Sequence, residues 1–167
     1  MRRPRHYLRE NPPPLGFRII PIYRDEDTPD NWLELVDAAR DLFDDAGIQL
    51  ANYEDPALVG VVPTLAGYQV VGAIFGGNRG PDDTADANIR FSAVVHPAHQ
   101  RTGIWRALAT QYVRDMRGLC GGEPELRVKL EGWVVNPNTI PVLESLGFEH
   151  WDGGSWSSYS PFYWKWI

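Results

Sequence analysis

A short polar segment between two apolar patterns is the part of this sequence best suited to bind a ligand. Residues 89–95 alternate like a strand that ends at Pro97. Apolar residues then recur at helical spacing, at Ile104, Leu108, Tyr112 and Met116. The first N–H groups of a helix have no partners within it and lie at the positive end of its dipole, where a phosphate can bind. Gly103 permits the sharp turn and a close approach of the ligand to the backbone.

The residues of this turn resemble a known motif. The pattern Val-x-Pro-x-x-Gln-Arg-x-Gly-Ile begins at Val95. It is similar to the acyl-CoA-binding signature of the GCN5-related N-acetyltransferases (GNAT superfamily), Arg/Gln-x-x-Gly-x-Gly/Ala. Gln100 and Gly103 match that signature, whereas Trp105 stands where the family usually has Gly or Ala.

A second signature lies farther along the chain. Asn136 follows a strand pattern, and Leu146-Gly147-Phe148 ends the short helix after it, with a spacing similar to that of the family. The two signatures span roughly residues 91–148, and the flanking patterns follow the family's order of elements. The resemblance therefore implies the GNAT fold, an α/β structure with a mixed, mostly antiparallel central sheet and flanking helices.

The resemblance also implies a co-substrate, acetyl-CoA, and no metal ion. The strands before and after the binding helix would splay apart, with the pantetheine arm in the opening. Asn136 would contact that arm or order its turn, and the N–H of Val95 would polarise the thioester carbonyl. The pyrophosphate would bind the backbone amides of Gln100, Arg101, Thr102, Gly103, Ile104 and Trp105.

Transfer to an amine requires a base or a desolvated site that removes one proton, because alkylammonium groups have a pKa near 10. The sequence offers candidates for the base. The candidates are Glu131, Glu149, His150 and Asp86. Glu131 is the first choice, because strand alternation directs it away from Leu130 and so away from at least one core face. It could instead only pair with Lys129 or Arg127. By resemblance, the amine would enter near Glu131 and Trp133, under the C-terminal aromatic loop.

The sequence departs from the family at the position of the general acid. A Tyr in the short helix often protonates the departing thiolate, but the corresponding residue here is Leu143. The thiolate could leave unaided, since thiols have a pKa near 8.5; Tyr159 or Tyr163 could replace the acid, or the enzyme could be impaired. At the second departure, Trp105 could narrow the phosphate site or pack beside the adenine.

Around these residues, the patterns predict strand, helix, two strands, strand–turn–helix, strand, helix and two strands. The first helix is predicted to start with a cap at Thr28 and Pro29 in its first turn, and to end at Gly47. A hairpin is predicted to turn within residues 63–67, and residues 76–87 are predicted to form a polar loop.

Later in the chain, Asn138 is predicted to cap the short helix. Residues 148–151 and 159–167 are predicted to form the last two strands. Residues 1–15, rich in Arg and Pro, are predicted to form a flexible basic arm, and residues 16–167 a single GNAT-like domain.

Composition limits the function classes. The 167 residues carry a net charge of −6, which argues against a nucleic-acid-binding surface and suits an amine acceptor. Cys120 is the only cysteine, so neither a disulfide nor a cysteine metal site is expected within the chain. The sequence has no apolar run of membrane-spanning length and no secretory signal, so no membrane contact and a cytoplasmic location are expected.

Three functions fit these observations. The leading one is an acyl-CoA-dependent N-acetyltransferase that acts on a small amine or a protein amino group. The second, favoured by Trp105 and Leu143, is a degenerate acyl-CoA-binding or regulatory protein. The third is an enzyme of the same fold that modifies nucleic acid, which the Arg-rich arm supports and the net charge opposes. The aromatic C-terminal segment could form the core, wall an acceptor pocket or join two copies in a homodimer.

Overall fold

The structure, a computed structural model, describes residues 11–23, 29–123, 125–134, 136–150 and 162–167, with the backbone alone at Trp133 and Phe162. Seven strands form one sheet: β1 (Arg18–Pro21), β2 (Asp55–Thr64), β3 (Gly67–Asn78), β4 (Ala87–Val95), β5 (Val128–Trp133), β6 (Glu149–His150) and β7 (Phe162–Trp166). The α-helices are α1 (Trp32–Asp45), α2 (Ile104–Cys120) and α3 (Ile140–Ser145), and short 3₁₀ turns lie at Pro97–His99 and Pro137–Thr139.

The sheet is mixed and mostly antiparallel, as predicted. Its order is β1-β2-β3-β4-β5-β7-β6, and among these neighbours β4 and β5 are parallel. A parallel pair needs a crossover connection, and α2 provides it. One core cluster contains Leu108 and Tyr112 of α2, and the other contains Val36 and Phe43 of α1. Each face of the sheet therefore has its own helix.

Helix α2 follows the predicted spacing. Its buried residues are Ile104, Leu108, Ala109, Tyr112, Val113 and Met116. The predicted start of α1 is wrong: the helix begins at Trp32, after Asn31, whose side chain makes no capping hydrogen bond. A tertiary contact holds this end instead, because the indole of Trp32 donates to the carbonyl of Ile22 at 2.9 Å. Thr28 lies outside the described residues. Gly47, with φ of 68°, ends the helix as predicted.

The hairpin is confirmed, but its strands are longer than predicted. β2 continues to Thr64 and β3 begins at Gly67, which leaves a two-residue turn. The predicted loop over residues 76–87 is wrong at both ends, because Gly76, Gly77 and Asn78 pair with β4 and Ala87 belongs to that strand. Pairing with a neighbouring strand outweighs the low strand propensity of glycine.

The end of the chain also differs in detail. The side chain that caps the turn before α3 is that of Asn136, whose Oδ1 accepts from the N–H of Asn138, so the predicted cap at Asn138 is wrong. Pro141 lies in the first turn of α3, as predicted. Residues 151–161, in which one predicted strand ends and the other begins, lie outside the described residues.

Two aspartates tie the remaining loop, residues 79–86, to β5 and to the residue that precedes it. Oδ1 of Asp82 accepts hydrogen bonds at 2.8 Å from the backbone N–H and the hydroxyl of Thr84 and from the N–H of Ala85, and Oδ2 lies 3.3 Å from Nζ of Lys129. These bonds, with those from Thr84 the strongest, hold the pKa of Asp82 well below its usual range. The N–H of Arg127 likewise lowers the pKa of Asp86.

We expect Asp82→Asn to lower the melting temperature at pH 7 and to have less effect in acid. A carboxylate with a lowered folded-state pKa stabilises the fold above its unfolded pKa of about 3.9, and that stabilisation is lost as the pH falls through the folded-state value. Thermal unfolding between pH 7 and pH 2 measures the difference, with the neighbouring exposed Asp83→Asn as the control. A difference from wild type that stayed constant down to pH 2 would contradict the assignment.

Candidate functional site

The predicted phosphate-binding residues, 100–105, lie in the turn before α2 and at the start of that helix, where two residues have positive φ. Arg101 has φ of 62° and Gly103, the N-cap of α2, has φ of 70° without a side-chain cap. The hydroxyl of Thr102 donates to the carbonyl of His99 and fixes the turn. Gln100 and Arg101 are exposed, whereas the side chain of Ile104 is buried. Ile104 can therefore offer only its backbone N–H to a ligand.

Trp105 does not extend freely over this turn. Its half-buried side chain packs against the core cluster that contains Leu108. Its neighbour Arg106 reaches α3, where Nη1 lies 2.9 Å from Oγ of Ser145. The first turn of α2 is thus anchored to the sheet and to α3.

The N-terminal segment also lies on this turn. The N–H of Asn11 donates to the carbonyl of Arg101 at 3.0 Å, and a Cβ at Gly103 would lie 3.4 Å from Cδ of Pro13. Residues 11–13 and α2 line an open groove of about 450 Å³, and Arg106 and Arg114 are among the helix residues that face it. The predicted flexible arm remains a prediction for residues 1–10, which lie outside the described residues.

Strands β4 and β5 separate just before this turn. Their last paired residues are Phe91 and Gly132, although β4 continues to Val95. The N–H of His96 donates to the carbonyl of Val71, so Val95 and Gly72 face each other as a non-hydrogen-bonded pair. The N–H and carbonyl of Val95 therefore point away from β3 and into the opening beside β5.

The same geometry reveals a residue that sequence reasoning missed. Hydrogen-bonding direction alternates along a strand, so the N–H of Ala93 points into the opening like that of Val95. Ala93 lies closer to the point where the strands separate, by about 6.6 Å at the strand rise of about 3.3 Å per residue. The sequence offered one signal for Ala93, because it lies two residues before Val95 on the same strand. The sequence did not show where the pairing of β4 with β5 ends.

Asn136 follows β5 in the sequence and directly precedes the 3₁₀ turn at Pro137–Thr139. Its side-chain oxygen accepts from the N–H of Asn138 at 3.0 Å, and its carbonyl accepts from the N–H and hydroxyl of Thr139. Asn136 thus orders the turn, one of its two predicted roles. Its exposed side chain retains an amide NH₂ that can donate to a ligand.

The position predicted by resemblance for the general acid is part of the core. Leu143 is 1% exposed, and a Cβ at Gly132 would lie 3.6 Å from it. Tyr159 lies outside the described residues. Tyr163 is buried beside the ring of His150, at 5.3 Å between centroids. Leu143 has no proton to donate to a departing thiolate.

Glu131 faces away from α2, as predicted, because its neighbour Leu130 is in the α2-side core. Nε and Nη2 of Arg79 lie 3.2 and 3.0 Å from its two oxygens, and Nε of Arg90 lies 3.9 Å away. The partners are therefore not the expected Lys129 and Arg127. A base role for Glu131 remains a prediction.

The other predicted bases differ in their surroundings. Oδ2 of Asp86 accepts a hydrogen bond from the backbone N–H of Arg127 and lies 3.5 Å from Nε of Arg127. The lowered pKa of Asp86 makes this carboxylate a weak base. Glu149 and His150 are exposed on β6, and the ring of His150 contacts that of Tyr163 at an interplanar angle of 59°.

A buried polar pair escaped sequence reasoning. The hydroxyl of Ser92 donates to Oε1 of Glu54 at 2.6 Å, and the N–H of Ala51 donates to Oε2 at 2.7 Å. Glu54 directly precedes β2, and Ser92 is a polar residue in an otherwise apolar stretch of β4. The polar residue was a signal, but nothing local predicted its partner.

The described residues contain neither a cluster of potential metal ligands nor a membrane-spanning helix. No three His, Cys, Asp or Glu side chains in this part of the chain come together as a metal site. No helix there is long and apolar enough to cross a membrane.

Comparisons with known proteins show similarity at the level of the fold. No family model matches the sequence, and no curated protein matches it. The structure is similar to a GNAT superfamily phosphinothricin acetyltransferase from Sinorhizobium meliloti in complex with acetyl-CoA, with 14% identity, a TM-score of 0.52, and 92% of this chain and 89% of that chain covered.

Two further solved structures differ from that enzyme in what they bind. One is Arabidopsis thaliana NAA60 with a bisubstrate analogue, with 16% identity, a TM-score of 0.54, and 90% of this chain and 99% of that one covered. The other is a KacTA–DNA complex, with 13% identity, a TM-score of 0.54, and 88% and 92% covered. The similarity extends over nearly the whole length of each chain.

Proposed function

Because the chain has the fold of the GCN5-related N-acetyltransferases, we propose that it is an acyl-CoA-dependent N-acyltransferase that transfers an acetyl group from acetyl-CoA to a primary amine. The observation that carries this proposal is the opening between β4 and β5, which begins beyond Phe91 and Gly132 and leads to the uncapped turn at Gly103. The turn supplies a phosphate site, and the strand supplies donors for an extended arm.

The path of the cofactor follows from the order of these groups. With its phosphates at residues 100–105, the pantetheine arm runs back along β4, past the N–H of Val95, with Asn136 on the opposite side. The thioester is at the far end of the arm and reaches the deeper amide, that of Ala93. We therefore assign Ala93 to the thioester carbonyl and Val95 to the arm, a revision of the predicted role of Val95.

In direct transfer, the nitrogen lone pair of the acceptor attacks the thioester carbon and negative charge develops on the carbonyl oxygen. A fixed N–H aimed at that oxygen lowers the barrier. The thiolate then leaves. Leu143 cannot donate a proton to it, but the thiolate can leave unaided because thiols have a pKa near 8.5. Tyr159 and Tyr163 remain the proposed alternatives as general acid, and Glu131, on the opposite side of the sheet from α2, is one proposed base for the amine.

We expect acetyl-CoA to bind the wild type with micromolar affinity, about −8 kcal/mol, and Gly103→Ala to bind it about tenfold more weakly. The φ of 70° at Gly103 strains any other residue by about 1–2 kcal/mol, and a Cβ would lie 3.3 Å from the carbonyl oxygen of Asn11, a tight contact that requires Asn11 to shift slightly. The control is Gly118→Ala, in the same helix, where a Cβ meets nothing within 4 Å. Calorimetry that showed equal affinities for both variants would place the cofactor elsewhere.

Turnover separates enzyme from binding protein. We expect acetyl-CoA to be consumed in the presence of at least one class of amine, small molecule or peptide N-terminus. Binding without turnover on any amine would favour the degenerate acyl-CoA-binding protein, which the buried Leu143 supports. Because one structure of similar fold is a DNA complex, binding of DNA and RNA at two salt concentrations tests the expectation that nucleic acid is not a partner.

A further inference from the structure

The buried pair Ser92 and Glu54 lies beside the proposed acetyl-transfer site. Ser92 is 8% and Glu54 7% exposed. In the described part of the chain the buried polar residues are these two and Asn88, which is bonded to the carbonyl of Gly80. Burial of a carboxylate is costly, so its presence calls for a structural or a chemical reason.

The position of Ser92 links the pair to the reaction. It is the first residue of β4 beyond the last pair with β5, and the amide of its neighbour Ala93 points into the opening. Phe91 and Ala93 pack in the α2-side core, so Ser92 faces the opposite side of the sheet. That is also the face of Glu131, where the acceptor is proposed to bind.

A glycine lets Glu54 reach this place from two strands away. Residues 51–54 cross β3 at Gly77, where a Cβ would lie 1.7 Å from the carbonyl oxygen of Tyr53 and 3.4 Å from Cα of Glu54. The carboxylate then meets Ser92 across β3, 38 residues along the chain. The absence of a side chain at Gly77 thus allows the carboxylate of Glu54 to reach the hydroxyl of Ser92.

The surroundings of the two candidate carboxylates differ in kind. Both oxygens of Glu131 are held by the guanidinium of Arg79. The donors to Glu54 are neutral, the hydroxyl of Ser92 and the N–H of Ala51. Glu54 can therefore take up a proton without breaking an ion pair.

Other titratable and charged groups lie on the elements around the pair. Tyr112 lies on α2; burial, and secondarily the charge of Glu54, raise its pKa, so it stays protonated. Arg90 precedes Ser92 by two positions on the same face of β4. Arg40 on α1 lies 5.7 Å from the ring of Phe75, the partner of Ser92 on β3.

We propose that Ser92 and Glu54 relay the proton of the acceptor ammonium, an inference that rests on the proposed acetyl transfer. An N–H bond of the ammonium breaks as its proton bonds to Oγ of Ser92, and the O–H bond of Ser92 breaks as that proton bonds to Oε1 of Glu54. The neutral amine attacks the thioester carbon. When the tetrahedral intermediate collapses, the second nitrogen proton goes to the departing thiolate, and Glu54 returns its proton to solvent.

The test compares Glu54→Gln, Ser92→Ala and Ser92→Thr with Glu131→Gln. We expect Glu54→Gln and Ser92→Ala to lower kcat about 100-fold near pH 7 without changing the affinity for acetyl-CoA. The loss should shrink as the pH approaches 10, where the amine becomes neutral by itself. Ser92→Thr keeps the hydroxyl and should retain most activity, a rescue that a purely structural role does not predict.

The outcomes separate this inference from the proposed function. If the wild type turns over and Ser92→Ala keeps its kcat, the relay is wrong while the acetyl transfer stands. A pH-dependent loss in Glu131→Gln alone would assign the base to Glu131. If the wild type neither binds nor consumes acetyl-CoA, both proposals are wrong. Should Glu54→Gln not fold, the contrast between Ser92→Ala and Ser92→Thr decides.

Discussion

Replacement of the backbone amide of Ala93 by an ester is expected to lower kcat by about 10²–10³-fold. The ester, introduced with the α-hydroxy acid analogue of alanine, removes one N–H donor and keeps the side chain. That N–H points into the opening between β4 and β5, where we assign the thioester carbonyl. A donor aimed at the developing oxyanion acts in the transition state, so its loss should appear in kcat.

The ester at Val95 should behave differently. In the wild type the N–H of Val95 also points into the opening, but nearer the turn. We therefore expect the ester at this position to weaken the affinity for acetyl-CoA and largely to preserve kcat. The matched control is an ester at Val94, whose N–H points to β3 because hydrogen-bonding direction alternates along the strand. That ester should lower the thermal stability and leave kcat and the affinity for acetyl-CoA unchanged. Calorimetry, steady-state kinetics and thermal unfolding of the three variants measure these effects.

The result decides between two assignments. If the loss in kcat falls on the ester at Val95, then Val95 polarises the carbonyl, as the family resemblance implied. If all three esters lower kcat equally, the losses report damage to β4, and the donor assignment is wrong.

Gly77→Ala is expected to destabilise the fold by about 3 kcal/mol or more. Its Cβ would lie 1.7 Å from the carbonyl oxygen and 2.7 Å from the carbonyl carbon of Tyr53. These are backbone atoms, so no rotamer change can relieve the clash and residues 51–54 must move away from β3. Urea unfolding of the variant measures the loss.

The controls for this variant come from the same chain. Gly118→Ala, in helix α2, meets nothing within 4 Å and should raise stability by up to about 1 kcal/mol, since alanine is the better helix former. If Gly77→Ala folds, it should also lose the bond between Glu54 and Ser92 and show the kinetics of Glu54→Gln. A stability like that of the wild type would show that residues 51–54 do not cross β3 at Gly77.

Much of the fold could be predicted from local patterns. The spacing of Ile104, Leu108 and Met116 predicted α2, and the alternation around Leu130 predicted β5. Helix and strand periods depend on residues a few positions apart, so a sequence displays them directly. The start of α1 was missed because a contact between Trp32 and Ile22, made only in the folded chain, holds it.

The site divides in the same way. The turn proposed to bind the phosphates follows from Gln100, Gly103 and the helix after them, since φ preference and uncapped N–H groups are properties of neighbouring residues. The identity of these residue types, and hence the expected chemistry, was determined by the sequence itself.

The tertiary structure alone decided which groups face the proposed transfer site. The pairing of β4 with β3 directs the amide of Ala93 toward β5, and the pairing with β5 ends at Phe91 and Gly132, so that amide faces the opening. The bond between Glu131 and Arg79 spans 52 residues, and that between Glu54 and Ser92 spans 38. Sheet register and side-chain partners depend on distant segments that meet only when the chain folds, so no local pattern predicts them.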